Sequence, residues 1–166
     1  MPKTSTANVR DARPSDGPAA TGSFMVRGET FTVQTGERIE LTDVTEHILA
    51  LVRGSGVREG IVSLWSMHTT CAVFMNESQK ALHADIKRLL ELMVDRDAGW
   101  MHNDPDHSDC DRSNADAHLR AMLLGHSLTV QVSGGDLVLG QWQRVLVAEL
   151  DGPRSRTLRV QIMGVG

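Results

Sequence analysis

The stretch GIVSLWSMHTTCAVFMN, residues 60–76, decides the fold. Its two flanks, 60–67 and 71–76, are apolar and β-branched, and His68-Thr69-Thr70 interrupts them with polar side chains. The pattern predicts strand, polar kink, strand, with a single bulged strand as the other reading. On the C-terminal side, Leu82, Ile86, Leu89, Leu90 and Met93 recur at helical spacing and predict a helix over about 78–95. Ala115, Leu119, Met122 and Leu123 predict another over 113–124, capped by Ser113 and ended at Gly125. On the N-terminal side, Asp43 followed by Glu46 resembles a capping box, and Val44, Ile48, Leu51 and Val52 carry a helix of about three turns to Gly54-Ser55-Gly56. Before it, SFMVRGETFTVQT, with Gly28 at a turn or bulge, and ERIEL predict two short strands. After the third helix come SLTVQV, a Ser-Gly-Gly-Asp turn, DLVLGQWQRVLVAELD and SRTLRVQIMG, the last two joined through Gly152-Pro153. In the final strand Leu158, Val160 and Ile162 alternate with Thr157, Arg159 and Gln161, so one face is buried. Strands and helices segregate, which makes the class α+β with a largely antiparallel sheet system.

The chain has 166 residues, 40% apolar and 23% charged, enough for one core over residues 23–166. Residues 1–22, MPKTSTANVRDARPSDGPAATG, have almost nothing to bury and are expected to form a flexible tail. A net charge of −4, from 17 basic and 21 acidic residues, argues against binding to nucleic acid or an anionic membrane surface. Two cysteines, Cys71 and Cys110, form neither a disulfide framework nor a zinc knuckle, and no apolar run matches a membrane span or a signal peptide. A cytoplasmic location is the expectation. Seven His stand against three Trp, three Phe and no Tyr, so proton transfer falls to imidazoles and carboxylates.

The densest polar stretch, 102–118, holds Asp104, Asp106, Asp109, Asp111 and Asp116 with three histidines. A calcium loop begun at Asp104 fails, because Asp109 and Ala115 stand where glycine and glutamate are needed. A solvated acidic loop is the plainer reading. His118 is off the apolar stripe and shares a helix face with Asn114. With His68 at the kink and His102 at the mouth of the loop, three imidazoles from three elements are candidates for metal binding or proton handling. Asn76-Glu77 and Glu149-Leu150-Asp151 close apolar strands, as functional carboxylates or as solvated strand ends. Arg154 and Arg156 are positioned to clamp a phosphate or to pair with nearby acid. Cys71, within an apolar run, reads as packing, and Gly134-Gly135 as a hairpin turn.

The ordered set His68-Thr69-Thr70-Cys71-Ala72-Val73, Asn76-Glu77, Asp85, His102, Asn114-Ala115-x-x-His118-Leu119, Gly125-x-Ser127-Leu128, Gly140-Gln141-Trp142-Gln143 and Glu149-x-Asp151-Gly152-Pro153-Arg154 resembles the YjbQ-like family over residues 24–166. The chain departs from the family's pattern at Gln141, where a threonine is common, at Cys71, where a small residue is common, and near His83, where proline is frequent. The resemblance implies two packed sheets, a homotrimer whose sheets meet around the threefold axis, and an active site around His68, His102 and His118. It also implies a secondary thiamine-phosphate synthase activity, joining a pyrimidine pyrophosphate to a thiazole phosphate with release of pyrophosphate. On that reading His68, His118, Glu77 and Asp85 are catalytic. Thr69, Thr70, Asn114, Ser127, Trp142, Arg154 and Arg156 bind a small phosphorylated substrate, and the three histidines hold a divalent metal, zinc or magnesium. The alternatives are a metal-dependent hydrolase of a phosphate ester or cyclic amide, and a trimer that binds an anion or small ligand without turnover.

Overall fold

The computed structural model describes residues 20–166, so the expected tail lies outside the described residues as far as residue 19. The chain runs β1 (Phe24–Gln34), β2 (Glu40–Asp43), α1 (Thr45–Ser55), β3 (Glu59–Ser66), β4 (Cys71–Asn76), α2 (Lys80–Met93), a 3-10 turn (Met101–Asn103), α3 (Ala115–Leu124), β5 (Ser127–Ser133), β6 (Asp136–Leu137), β7 (Arg144–Glu149) and β8 (Ser155–Val165). The strands form a five-stranded sheet, β1-β8-β3-β5-β6, and a three-stranded sheet, β2-β7-β4. Their pairings are antiparallel, as expected for the α+β class.

Leu158, Val160 and Ile162 of β8 meet Val145 and Val147 of β7 in a core between the sheets, closed by Ile48 and Val52 of α1. The other face of the small sheet, with Ala72, Ala148 and Leu150, packs on Ile86 and Leu90 of α2 and Ala117 and Ala121 of α3. β7 is thus buried on both faces, which is why VLVA, residues 145–148, reads as an unbroken apolar run instead of an alternation. No helix among the described residues is long and apolar enough to cross a membrane.

Several local expectations are corrected. The first strand is a single eleven-residue element, with Gly28 paired to Gln161 inside it rather than marking a turn. Helix α3 begins at Ala115, with Asn114 at its N-cap instead of Ser113. Residues 60–76 are two strands in different sheets: β3 lies between β8 and β5, and β4 lies beside β7. His68-Thr69-Thr70 is therefore a crossover from one sheet to the other. The predicted hairpin is present, and Gly134 and Gly135 take φ values of 63° and 82°, a left-handed conformation that glycine adopts readily.

Three connections switch sheets at the same end of the sandwich: 35–39, 67–70 and 150–154. Gln34 pairs with Ser155, Ser66 with Leu158, and both Glu40 and Cys71 with Glu149, which brings the three together. One buried ion pair ties them. Arg156 donates from Nε to Glu149 Oε2 at 2.6 Å and from Nη2 to Glu149 Oε1. The same Nη2 reaches Thr70 Oγ1 at 3.0 Å, while Thr35 Oγ1 donates to Glu149 Oε2 at 3.0 Å. Glu149 Oε1 also accepts the backbone N–H groups of Leu150 and Asp151, each at 2.8 Å. Gly152 passes so close that a Cβ there would lie 2.6 Å from Glu149 Cγ and 2.3 Å from the Glu37 carbonyl oxygen. Removing Glu149 strands the buried charge of Arg156 and the backbone N–H of Asp151, while the Leu150 N–H keeps the Thr70 carbonyl at 3.2 Å. Glu149→Ala is expected to lower unfolding free energy by about 3–5 kcal/mol in urea denaturation, and replacing Glu149 and Arg156 together by leucine is expected to cost less.

Candidate functional site

A cleft of about 510 Å³ opens over the sheet-switching end, bounded by His68, Thr69, Arg112 and Arg154 with the Thr70 and Arg156 pair at its base. His68 is half-buried in the crossover after β3, and its Nε2 accepts the backbone N–H of Thr157 at 2.8 Å. Burial holds its pKa below the ordinary 6.5, the charges of Arg156 and Arg154 act in the same direction, and Glu149 opposes them. Arg156 has Nε and Nη2 committed to Glu149 and Thr70. Burial works against its charge, but the hydrogen bonds and charge of Glu149 outweigh this and hold its pKa above the usual value. Arg154 is more open. It donates from Nε to the Asp151 carbonyl at 2.7 Å and from Nη2 to Asp151 Oδ2 at 2.9 Å, leaving Nη1 without a hydrogen bond to a described residue. Of the two readings of these arginines, clamp or partner of nearby acid, both pair with a carboxylate, Arg156 as a structural partner of Glu149 and Arg154 as a cation that also faces the cleft.

A second, more apolar cleft of about 300 Å³ is lined by Trp100, Met101, His102, Ala115, His118 and Leu119. His102 and His118 meet edge to face, with ring centroids 5.0 Å apart. Asn103 Oδ1 accepts the Ala115 N–H at 2.9 Å, which fixes the turn carrying His102 to the start of the helix carrying His118. Burial, then the neighbouring His102, lowers the pKa of His118, with Asp151 and Asp116 opposing. His118 can therefore present one N–H and one bare nitrogen as a neutral imidazole.

Asp151 links the clefts. It accepts Asn114 Nδ2 at 2.8 Å and Arg38 Nη1 at 3.3 Å in addition to Arg154. Arg38 continues to Asp116 at 3.0 Å, and Asp116 to Arg120 at 2.7 Å. Arg120 then donates to the carbonyls of Leu90 and Val94, joining the end of α2 to α3. Asn114 Oδ1 and His102 Nε2 are buried without a hydrogen-bond partner among the described residues.

The fold brings His68, Thr69, Thr70, Arg154 and Arg156 to one cleft and places His102, His118 and Asn114 beside it. It does not bring the other expected residues to these clefts. Glu77 follows β4 at the end opposite Cys71, roughly 20 Å away along an extended chain. Trp142, 64% exposed, precedes β7 at the end opposite Glu149. Asp85 is exposed on α2, and Ser127 is exposed opposite Trp65 on the outer face of the large sheet. The three histidines do not gather as one ligand set, because His68 turns Nε2 to Thr157 while His102 and His118 pair with each other. Among the described residues no three His, Cys, Asp or Glu side chains are arranged to hold a metal ion. Cys71 is in the core, where burial raises its thiol pKa. Arg38, Asn103 and the Asp116–Arg120 pair carry no motif that marks them in the sequence as part of the site. The last pair does have a local signal, the i,i+4 spacing of opposite charges on one helix, although Asp116 reads in sequence as part of the acidic loop.

A family model described as UPF0047 protein YjbQ-like matches residues 29–165. A UPF0047 protein of Methanothermobacter thermautotrophicus is 44% identical over 144 residues, covering 86% of this chain and 96% of the relative. The UPF0047 protein YugU of Bacillus subtilis is 31% identical, covering 82% and 98%. Among solved structures, a YbjQ-like protein of unknown function from Sulfolobus solfataricus superposes with a TM-score of 0.80 at 34% identity, covering 86% of this chain and 99% of its own. A hypothetical protein from Aeropyrum pernix gives 0.76 at 36% identity, covering 83% and 98%. By sequence and by fold, the chain belongs to the UPF0047, YjbQ-like family.

Proposed function

We propose that the sheet-switching end is the active site of an enzyme for small phosphorylated heterocycles, and that its reaction joins a pyrimidine pyrophosphate to a thiazole phosphate. One observation carries this reading. A cationic cleft with Arg154, Arg112, Thr69 and His68 stands beside an apolar cleft with His102 and His118, and Asp151 ties Arg154 to Asn114 between them. Convergent polar groups beside an apolar cleft suit a ligand with an anionic end and a flat ring. In the coupling, the thiazole ring nitrogen forms a C–N bond as the C–O bond to pyrophosphate breaks, and the electron pair leaves with pyrophosphate. The protein then has to align the two rings and compensate the departing charge. Arg154 and Arg112 supply the positive charge, and His118 orients the ring. Among the described residues the three histidines form no metal ligand set, and the Arg154, Arg112 and His118 side chains do the aligning and charge compensation.

We further propose that the chain assembles as a homotrimer through the outer face of the five-stranded sheet. There Val26 and Ile61, 49% and 36% exposed, stand in one row on either side of Met163, and Trp65, 54% exposed, lies four residues further along β3 beside Arg159, a face that a second copy would cover. Ser127, paired with Trp65 in register, belongs to this contact.

His118→Ala is expected to leave the circular dichroism spectrum unchanged and to slow coupling by about a hundredfold or more, measured by formation of thiamine phosphate. Wild-type activity is expected to fall in acid with a midpoint below 6.5, because His118 loses its bare nitrogen only below the ordinary imidazole value. Pyrophosphate binding without any coupling product would favour the anion-binding trimer. Trp65→Glu is expected to convert the trimer to monomer in light scattering after size exclusion, and a trimer that persists would place the contact elsewhere.

A further inference from the structure

His68 occupies the last rung of the five-stranded sheet. β3 pairs with β8 as far as Ser66 opposite Leu158, and the Met67 N–H still donates to the Thr157 carbonyl at 3.1 Å. In an antiparallel ladder the N–H and C=O of one residue face the same neighbour, so the Thr157 N–H points to the same side. The imidazole of His68 takes the place of a strand carbonyl there, with Nε2 2.8 Å from the Thr157 nitrogen. A backbone N–H can only donate, so Nε2 is bare, and the proton of the neutral ring is on Nδ1. Nδ1 has no hydrogen bond to a described residue, and the ring borders the cationic cleft with Thr69, Arg112 and Arg154.

Resting on the phosphate site proposed above, we infer that His68 is a binding and positioning residue locked in one tautomer. Its Nδ1–H donates to a phosphoryl oxygen beside Thr69 and Arg154, and its Nε2, held by Thr157, serves neither as a metal ligand nor as the base. This separates the roles of the three histidines: His68 reads the anion, while His102 and His118 face the ring.

The test is nitrogen-15 NMR of the full chain labelled at histidine, at neutral pH, with inorganic pyrophosphate as the probe. The expected spectrum shows a pyridine-like Nε2 and a protonated Nδ1 for His68, with the Nδ1 resonance moving as pyrophosphate is added. His68→Gln retains an acceptor within reach of the Thr157 N–H but loses the Nδ1 donor. It is expected to keep the wild-type Tm and to weaken the pyrophosphate Kd by about tenfold. His68→Asn retains a donor near Nδ1 and loses the acceptor, so it is expected to lower Tm more than it lowers affinity. A proton found on Nε2 overturns the inference. So does pyrophosphate binding that Arg154→Ala weakens while His68→Gln and the Nδ1 resonance are unaffected, a result that leaves the phosphate site standing. If wild-type protein binds no pyrophosphate, the site and this role for His68 fall together.

Discussion

The buried pair of Glu149 and Arg156 is the constraint on which the working end of this fold depends. Three separate connections cross between the two sheets at one end of the sandwich, and each would leave polar backbone groups away from water without a partner. The pair reaches all of them, through Thr35, through Thr70 and through the N–H groups of Leu150 and Asp151. A buried ion pair adds little net stability over a well-packed apolar substitute, but it has one geometry in which its hydrogen bonds are complete. That geometry sets where His68 and Arg154 emerge, one on each side of the cleft.

From this anchor the charges alternate outward: Arg154, Asp151, Arg38, Asp116, Arg120. Each carboxylate is shared by two guanidinium groups, so three arginines stand against two aspartates and the chain of contacts keeps an excess of positive charge. Asn114 hangs from it by its amide nitrogen, and Asn103 fastens the His102 turn to the same helix start. The imidazole pair and the cationic cleft therefore belong to one braced structure, although their residues are as far apart in sequence as Arg38 and Arg154. A ligand spanning the clefts would meet Arg154 at one end and the His102–His118 pair at the other, with Asp151 holding the spacing between them.

Much of the fold was legible because its periods are local. The alternation in β8, the apolar stripes of the three helices and the Gly134-Gly135 turn are each decided within a few residues. Sheet membership is not local. The apolar runs around His68 say that two strands are present, but nothing in them says that one pairs with β8 and the other with β7. Gly28 looks like a turn because glycine usually marks one, yet the pairing with β8 carries the strand through it. The site was legible to the same degree. Asn114 and His118 share a helix face by spacing alone, and His102 stands out at the mouth of the acidic loop. Glu77 and Trp142 belong to the same ordered motifs but lie at the far ends of β4 and β7, since motif order does not report strand direction. The tautomer of His68 was out of reach, because it follows from a backbone N–H eighty-nine positions away.

The most direct measurement is a crystal structure of the protein with pyrophosphate bound. Pyrophosphate is expected between the 67–70 and 150–154 connections, with Arg154 and His68 Nδ1 as donors and the Glu149–Arg156 pair intact beneath it. Pyrophosphate bound elsewhere on the chain, or seated in the cleft by displacing Arg156 from Glu149, would contradict the central assignment.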